Sequence, residues 1–199
     1  MATPQPLQTN PAEGEEAALP LYVDLDGTLV AIDTLRACLL ALARGKPWLV
    51  PLLPFCVLMG RAWFKDRVSR WATIEPETLP YRREVLMYLE EQRSLGRRII
   101  LATAANVRIA EAVASHLKLF DAVIASDHRY NLKGHAKLRA IQSHLRETQA
   151  AVGFEYMGDS LADLPILRAA RRGILVGSSR RLRAQAPSHC RVLDGAAPP

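Results

Sequence analysis

Five short apolar runs punctuate this chain, at residues 19–25, 98–102, 122–125, 154–157 and 173–176. Each is too short for a helix and shows no polar alternation, the pattern of strands buried on both faces. Between the later runs the period changes. Ile109, Val113 and Leu117 recur every four residues after Asn106, which fits an N-cap. Leu138, Ile141 and Leu145 line one face of a second helix, and residues 161–170 supply a third. Alternating strands and helices predict an α/β fold with a parallel sheet covered by helices on both faces.

The interval between the first two strands breaks this rhythm. Residues 32–96 hold no clear strand, while Leu35, Leu39 and Leu42, and then Val85, Leu86 and Leu89 after Pro80, fit helices. A single crossover needs far fewer residues. The spacing predicts a helical cap over the C-terminal edge of the sheet, where open α/β sheets bind ligands. The expected organisation is a disordered tail at 1–18, a core at 19–31 and 97–186, the cap insertion at 32–96 and a flexible tail at 187–199.

Composition sharpens this picture in three places. A hydrophobic content of 49% in 199 residues is ample for one buried core. The net charge of +6 is accompanied by a late run of arginines, Arg168, Arg171, Arg172, Arg180, Arg181, Arg183 and Arg191. These form either a solvated basic face or a contact for anionic lipid headgroups or phosphorylated substrates. No aromatic residues interleave the run, so nucleic acid is not expected as a partner. Cys38, Cys56 and Cys190 lack metal-binding or CxxC spacing and fit thiols in a reducing cytosol. No signal peptide pattern opens the chain, and the expected location is cytoplasmic, with a peripheral position at the inner membrane face as its extension. The apolar stretch from Trp48 to Met59 is interrupted by Pro51 and Pro54 and is too short to span a bilayer. It is either a buried part of the cap or a surface that docks on a membrane or membrane protein.

Chemistry-bearing residues sit at the ends of the predicted strands. Asp24 and Asp26 follow the first strand two residues apart, so both side chains leave on one side, and Gly27 and Thr28 shape the turn. Asp24, ionised, suits a nucleophile toward phosphorus. Asp26, if kept protonated, suits a general acid and then base. Thr103 and the amide of Ala104 follow the second strand, near the positive end of the next helix, and suit phosphate oxygens. Lys137 opens the helix of Leu138, Ile141 and Leu145 and can neutralise phosphate charge, with Lys133 as the alternative. Asp159 follows the fourth strand within the run Gly158-Asp159-Ser160-Leu161-Ala162-Asp163 and suits a magnesium ion beside Asp24. Asp163 would support the metal shell or Lys137, and Ser160 and Thr28 would support the neighbouring loops. Two reacting carboxylates, a hydroxyl, a cation and metal-binding oxygens make up a set suited to phosphoryl transfer through an aspartyl-phosphate.

With these motifs in this order, residues 21–176 resemble the haloacid dehalogenase-like superfamily. Asp24, Asp26, Thr103, Lys137, Asp159 and Asp163 fall on its motif positions, and residues 158–167 are similar to its phosphoserine phosphatase-like branch. The resemblance implies a Rossmann-like core with a type 1 helical cap and a magnesium-dependent phosphatase. It also implies a metal site formed by Asp24, Asp159 and Asp26, the last through its backbone carbonyl. Residues 79–81, 101–105, 131–134, 163–165 and 169–172 further resemble the soluble domain found N-terminal to some UbiA-type polyprenyl transferases. His128 stands where that family is expected to carry a small residue. No membrane domain follows within these 199 residues. The expected substrate is a phosphorylated small metabolite or a phosphorylated prenyl or sugar-lipid. The alternative is an accessory module that docks on a membrane polyprenyl transferase.

Overall fold

The computed structural model describes residues 19–72, 74–148 and 153–193. The tail expected at 1–18 lies outside the described residues. Six parallel strands form one sheet in the order β3-β2-β1-β4-β5-β6: β1 (Leu21–Val23), β2 (Ile99–Asn106), β3 (Ala122–Ser126), β4 (Glu155–Gly158), β5 (Arg172–Val176) and β6 (Cys190–Leu193). The central strand β1 pairs with β2 through Leu21–Ile99 and with β4 through Leu21–Glu155. The order of connection reverses between β1 and β4. A crevice at such a switch point opens at the carboxyl ends of the strands.

Residues along the strands alternate between two cores. Leu21, Val23, Ile99, Leu101, Met157, Ile174 and Val176 face one layer, which contains Val85 and Leu89 of α4 (Arg83–Ser94) and Ala110 and Val113 of α5 (Val107–Leu117). Tyr22, Ile100, Ala102, Tyr156 and Leu175 face the other. That layer contains Ile141 of α6 (His135–Thr148), Ile166 and Leu167 of α7 (Leu164–Ala169) and Leu182 of α8 (Arg180–Gln185). With both faces covered, every strand position of β1 is buried, so the sequence shows a continuous apolar run and no alternation. Asn106 caps α5 by accepting from the Arg108 amide at 3.0 Å.

Above the sheet edge stand α1 (Thr34–Gly45), a 3-10 segment (Pro47–Leu52), α2 (Leu53–Leu58) and α3 (Arg61–Trp71). They share a small core of Cys38, Leu42, Val68 and Ala72. The two chains at the base of this helical group lie side by side. The Ala31 amide donates to the Pro80 carbonyl at 2.9 Å, and the Arg82 amide donates to the Leu29 carbonyl at 2.9 Å.

Two expectations need correction, and one of two alternatives falls. The cap predicted at 32–96 includes α4, yet Val85 and Leu89 pack against the sheet as a crossover helix would. In place of the flexible tail expected at 187–199, Cys190–Leu193 forms the edge strand β6 on β5. Its central residues Arg191 and Val192 are exposed, so it lacks the apolar run that marks the other strands. Room for β6 exists because residue 173 is glycine: a Cβ there would lie 2.4 Å from the Cys190 Sγ. Residues 194–199 lie outside the described residues. Finally, the stretch from Trp48 to Met59 is not a buried part of the cap, since only Cys56 within it is buried. Among the described residues no helix is long and apolar enough to cross a membrane.

The amino ends of the strands are fastened by one buried ion pair. Arg97 and Glu155 are 1% and 2% exposed, with Nη2 and Oε2 at 2.6 Å. Arg97 also donates to the Leu19 carbonyl at 2.7 Å and to Gln92 Oε1 at 2.8 Å. Removing one partner strands the other charge in the interior. We predict that Arg97→Met lowers the urea-unfolding free energy by about 3–5 kcal/mol. Arg97→Met combined with Glu155→Leu should recover part of that loss. A single-variant loss below about 1 kcal/mol would show that the pair is not desolvated as described.

Candidate functional site

The carboxyl ends of β1, β2 and β4 open into a crevice of about 300 Å3. Asp24, Asp26, Thr103, Ala104, Lys133, Lys137, Asp159, Ser160 and Asp163 all line it. Thr28 stands behind the wall, fully buried, and its hydroxyl donates to Asp159 Oδ1 at 3.3 Å. All ten sequence-selected residues are therefore in or directly against one cavity.

Asp24 leaves β1 with both carboxylate oxygens held. Oδ1 accepts from the Leu25 amide at 2.8 Å, and Oδ2 lies 2.8 Å from Lys137 Nζ. Lys137, on the first turn of α6, is only 2% exposed. It also donates to Asp163 Oδ1 at 3.1 Å and to the Tyr156 hydroxyl at 2.9 Å. Burial disfavours the ammonium, but Asp24 and Asp163 together outweigh it and raise the Lys137 pKa. Asp163 is also fully engaged. Its Oδ1 accepts from Tyr156 at 2.8 Å, and its Oδ2 accepts from the Ser160 hydroxyl at 2.7 Å and from the Ser160 amide at 3.2 Å. Burial pushes the Asp163 carboxyl up, yet Lys137 and the two hydroxyls more than reverse this and hold it below its usual range.

Asp24 and Asp159 differ from Asp163. Burial pushes Asp24 up to about 7 against the opposing pull of Lys137. Burial and the Asp163 charge push Asp159 up to about 6. One oxygen from each of Asp24, Asp159 and Asp163 falls within 4.8 Å of the others. Such concentrated hard oxygen donors, under-compensated by the protein itself, fit a divalent cation of the magnesium type. Asp24 and Asp159 are the better donors, because Asp163 accepts four hydrogen bonds, from Lys137, Tyr156 and Ser160, whereas Asp24 has two such partners and Asp159 one. Gly27 makes room for this arrangement: at φ 77° it bears no side chain, and a Cβ there would lie 2.1 Å from Asp159 Oδ2.

Asp26 is set apart from that acidic group. Its Oδ1 accepts from the Thr34 amide at 2.9 Å, which ties it to the first turn of α1. Burial raises its pKa, partly offset by that amide bond. A carboxyl held this way keeps a proton more readily than an exposed one. Thr103 is fully buried at an irregularity in β2. The pairing with β3 shifts there, so that Ala102 faces Ile124 but Asn106 faces Ser126. Extra residues on one strand re-aim side chains at a sheet edge. The Thr103 hydroxyl accepts from the Ala105 amide at 3.0 Å, which fixes its position at the wall.

Sequence reasoning missed three contributors. Lys65, from α3, reaches down to the Ala104 carbonyl at 2.8 Å and to Asn131 Oδ1 at 3.1 Å, and lines the crevice. Burial lowers its pKa, opposed by Asp26 and Asp33. No motif surrounds Lys65, and its place becomes apparent only when the cap closes over the sheet. Tyr156 was read as strand core. Its burial was legible, but its hydroxyl's role between Lys137 and Asp163 was not. Arg82 donates to the Gly27 carbonyl at 3.0 Å and supports the turn from the far side of the cap insertion. His128, singled out in the sequence, instead accepts from Arg129 Nε at 3.1 Å in an exposed pair.

Comparison with known proteins agrees with this architecture. The profile of the haloacid dehalogenase-like hydrolases matches residues 59–168. An uncharacterized protein, y4nM, from Sinorhizobium fredii (strain NBRC 101917 / NGR234) is 40% identical over 160 residues. That alignment covers 80% of this chain, which spans 30% of the relative's length. Among solved structures, the HAD family hydrolase t0658 from Salmonella enterica subsp. enterica serovar Typhi superposes with a TM-score of 0.66 at 14% identity. The match covers 89% of this chain and 69% of that one. A substrate-bound phosphoserine phosphatase superposes with a TM-score of 0.63 at 13% identity, covering 86% of this chain and 91% of that one. At these identities the structural likenesses are of fold. With the profile spanning more than half of its length, the chain belongs to the haloacid dehalogenase-like hydrolase family.

Proposed function

We propose that this chain hydrolyses phosphomonoesters through an aspartyl-phosphate on Asp24. The observation that carries this reading is the meeting of Asp24, Asp159 and Lys137 at the ends of separate elements, with Thr103 on the facing wall. An Asp24 carboxylate oxygen attacks phosphorus, and the bond from phosphorus to the substrate oxygen breaks. Asp26, lodged against α1 and protonated, gives its proton to the departing alkoxide. A water then attacks phosphorus, Asp26 takes the water's proton, and the acyl–phosphate bond breaks to release inorganic phosphate and regenerate Asp24. The Thr103 hydroxyl and Ala104 amide bind non-bridging oxygens, and Lys137 supplies positive charge. Lys137 is preferred to Lys133 for this role because its ammonium lies between the Asp24 and Asp163 carboxylates. Asp24, Asp159 and the Asp26 carbonyl would hold magnesium, which would supply the charge neutralisation that lets an anionic nucleophile approach an anionic phosphate. The likeness to a phosphoserine phosphatase fold is consistent with this chemistry.

The substrate we favour carries an apolar portion. A second hollow, of about 540 Å3, shares Ala31, Ile32 and Asp33 with the crevice and continues along α1 past Ala37, Leu40 and Ala41. An alkyl or prenyl chain would lie there with its phosphate at Asp24. The Asp33, Arg36 and Arg44 side chains leave the hollow's rim polar.

Three outcomes test the reading. Asp24→Asn should abolish magnesium-dependent release of nitrophenol from nitrophenyl phosphate, by more than about 10^3-fold. Absence of turnover on any phosphate by folded wild-type protein would favour the docking module instead. Asp26→Asn should cost roughly 10^2–10^4-fold on an alkyl phosphate. Its cost on nitrophenyl phosphate should be smaller, because nitrophenolate leaves without a proton; equal losses on both would remove Asp26 from the acid role. Gly27→Ala should displace the Asp159 carboxylate and weaken magnesium binding by roughly 10–100-fold in calorimetric titration. Unchanged affinity would exclude Asp159 as a ligand.

A further inference from the structure

We propose that the cap docks this protein on an anionic membrane surface. Two independent observations point there. The first is an apolar surface on the one continuous segment that follows α1. Trp48 and Phe55 are each 68% exposed, Leu58 is 83% exposed, and Val57 and Met59 are more than half exposed. Such a concentration of large apolar side chains in water marks an interaction site. It lies outside the catalytic crevice, none of whose lining residues falls in this segment.

The second observation is where the charge resides. From Thr34 to Trp71 there are seven lysines and arginines and one carboxylate, Asp66, a surplus of six that equals the net charge of the whole chain. No Asp or Glu occurs between Asp33 and Asp66. Asp66 itself is paired with Arg70 at 2.8 Å. The remainder of the sequence is electrically balanced, so the late arginine run is offset elsewhere while the cap is not. Arg36, Arg44, Lys46 and Arg61 are exposed on either side of the apolar segment.

Tryptophan, phenylalanine and leucine flanked by arginine and lysine, with no acid between, suit the headgroup region of a bilayer. The cations complement anionic phospholipid, each contributing on the order of fivefold in partitioning. A second copy of this chain is the less fitting occupant, because pairing through the patch would bring two cationic caps together. The inference holds whether or not the crevice is catalytic.

Full-length protein, vesicles of phosphatidylcholine alone and vesicles of phosphatidylcholine with phosphatidylglycerol in equal amounts test this by co-sedimentation. Binding is expected to the mixed vesicles, at least about tenfold weaker to the zwitterionic ones, and to fall with salt. The combined variant Trp48→Ala, Phe55→Ala and Leu58→Ser should lose at least about tenfold in partitioning. Its nitrophenyl phosphate turnover without vesicles should stay unchanged. Should that variant unfold, two measurements remain: Arg44→Glu with Arg61→Glu should weaken binding to the mixed vesicles by more than about tenfold, and brominated lipid should quench the tryptophan emission of the wild type. Equal or absent binding to both vesicle types, full binding by the folded triple variant, or a homodimer in light scattering that the triple variant dissolves would each overturn the proposal.

Discussion

A lysine ammonium held in the protein interior by two carboxylates organises this molecule. Lys137 is nearly inaccessible, and its charge is tolerable only because Asp24 and Asp163 lie within 3.1 Å and the Tyr156 hydroxyl completes its shell. The four residues come from β1, β4, the turn after β4 and the first turn of α6. Each must therefore arrive in register for the cluster to form. Loss of Lys137 would leave two buried carboxylates facing each other without a cation, at a cost well above that of losing an exposed pair. The same cluster fixes the rotamer of Asp24 and so links the stability of the core to the geometry of the proposed nucleophile.

Those carboxylates divide by what their oxygens touch. Asp163 spends its oxygens on Lys137, Tyr156 and Ser160, so it positions neighbours. Asp159 meets the Thr28 hydroxyl on one oxygen and the bare side of Gly27 with the other. Asp26 is tied to the cap by Thr34. Four of the five aspartates lining the crevice thus stand in different electrostatic surroundings, a separation that suits the proposed division into attacking, proton-carrying and binding or orienting groups. The cap joins the site at two points, Thr34 over Asp26 and Lys65 on the Ala104 carbonyl. Residues of the cap therefore complete the crevice.

Much of this was readable in the residues, for physical reasons. Strands covered on both faces show continuous apolar runs, and the four internal ones are found, together with the edge strand β3. Carboxylates at strand ends are conspicuous because nothing in a buried sheet needs them there. What escaped the sequence depends on contacts far apart in the chain. Lys65 lies about forty residues before its partner Ala104 and is marked by no local pattern. Strand β6 is an edge strand with Arg191 and Val192 exposed, and Arg191 leans on Tyr88 with its guanidinium 5.2 Å from the ring. Helix α4 shows the same periodicity whether it packs on the cap or on the sheet, and only the core contacts of Val85 and Leu89 decide. The exposure of Trp48 and Phe55 was equally illegible, since an apolar run of that length is buried in most folds.

The account stands most directly on where the phosphoryl group goes. Protein quenched in acid during turnover of an aryl phosphate, then digested and mapped by mass spectrometry, reports this without assumptions about the substrate. An alkali-labile phosphate on the peptide bearing Asp24, absent when magnesium is withheld, is the predicted result. Phosphate on any other residue, or steady turnover with no phosphorylated protein at any quench time, would contradict it.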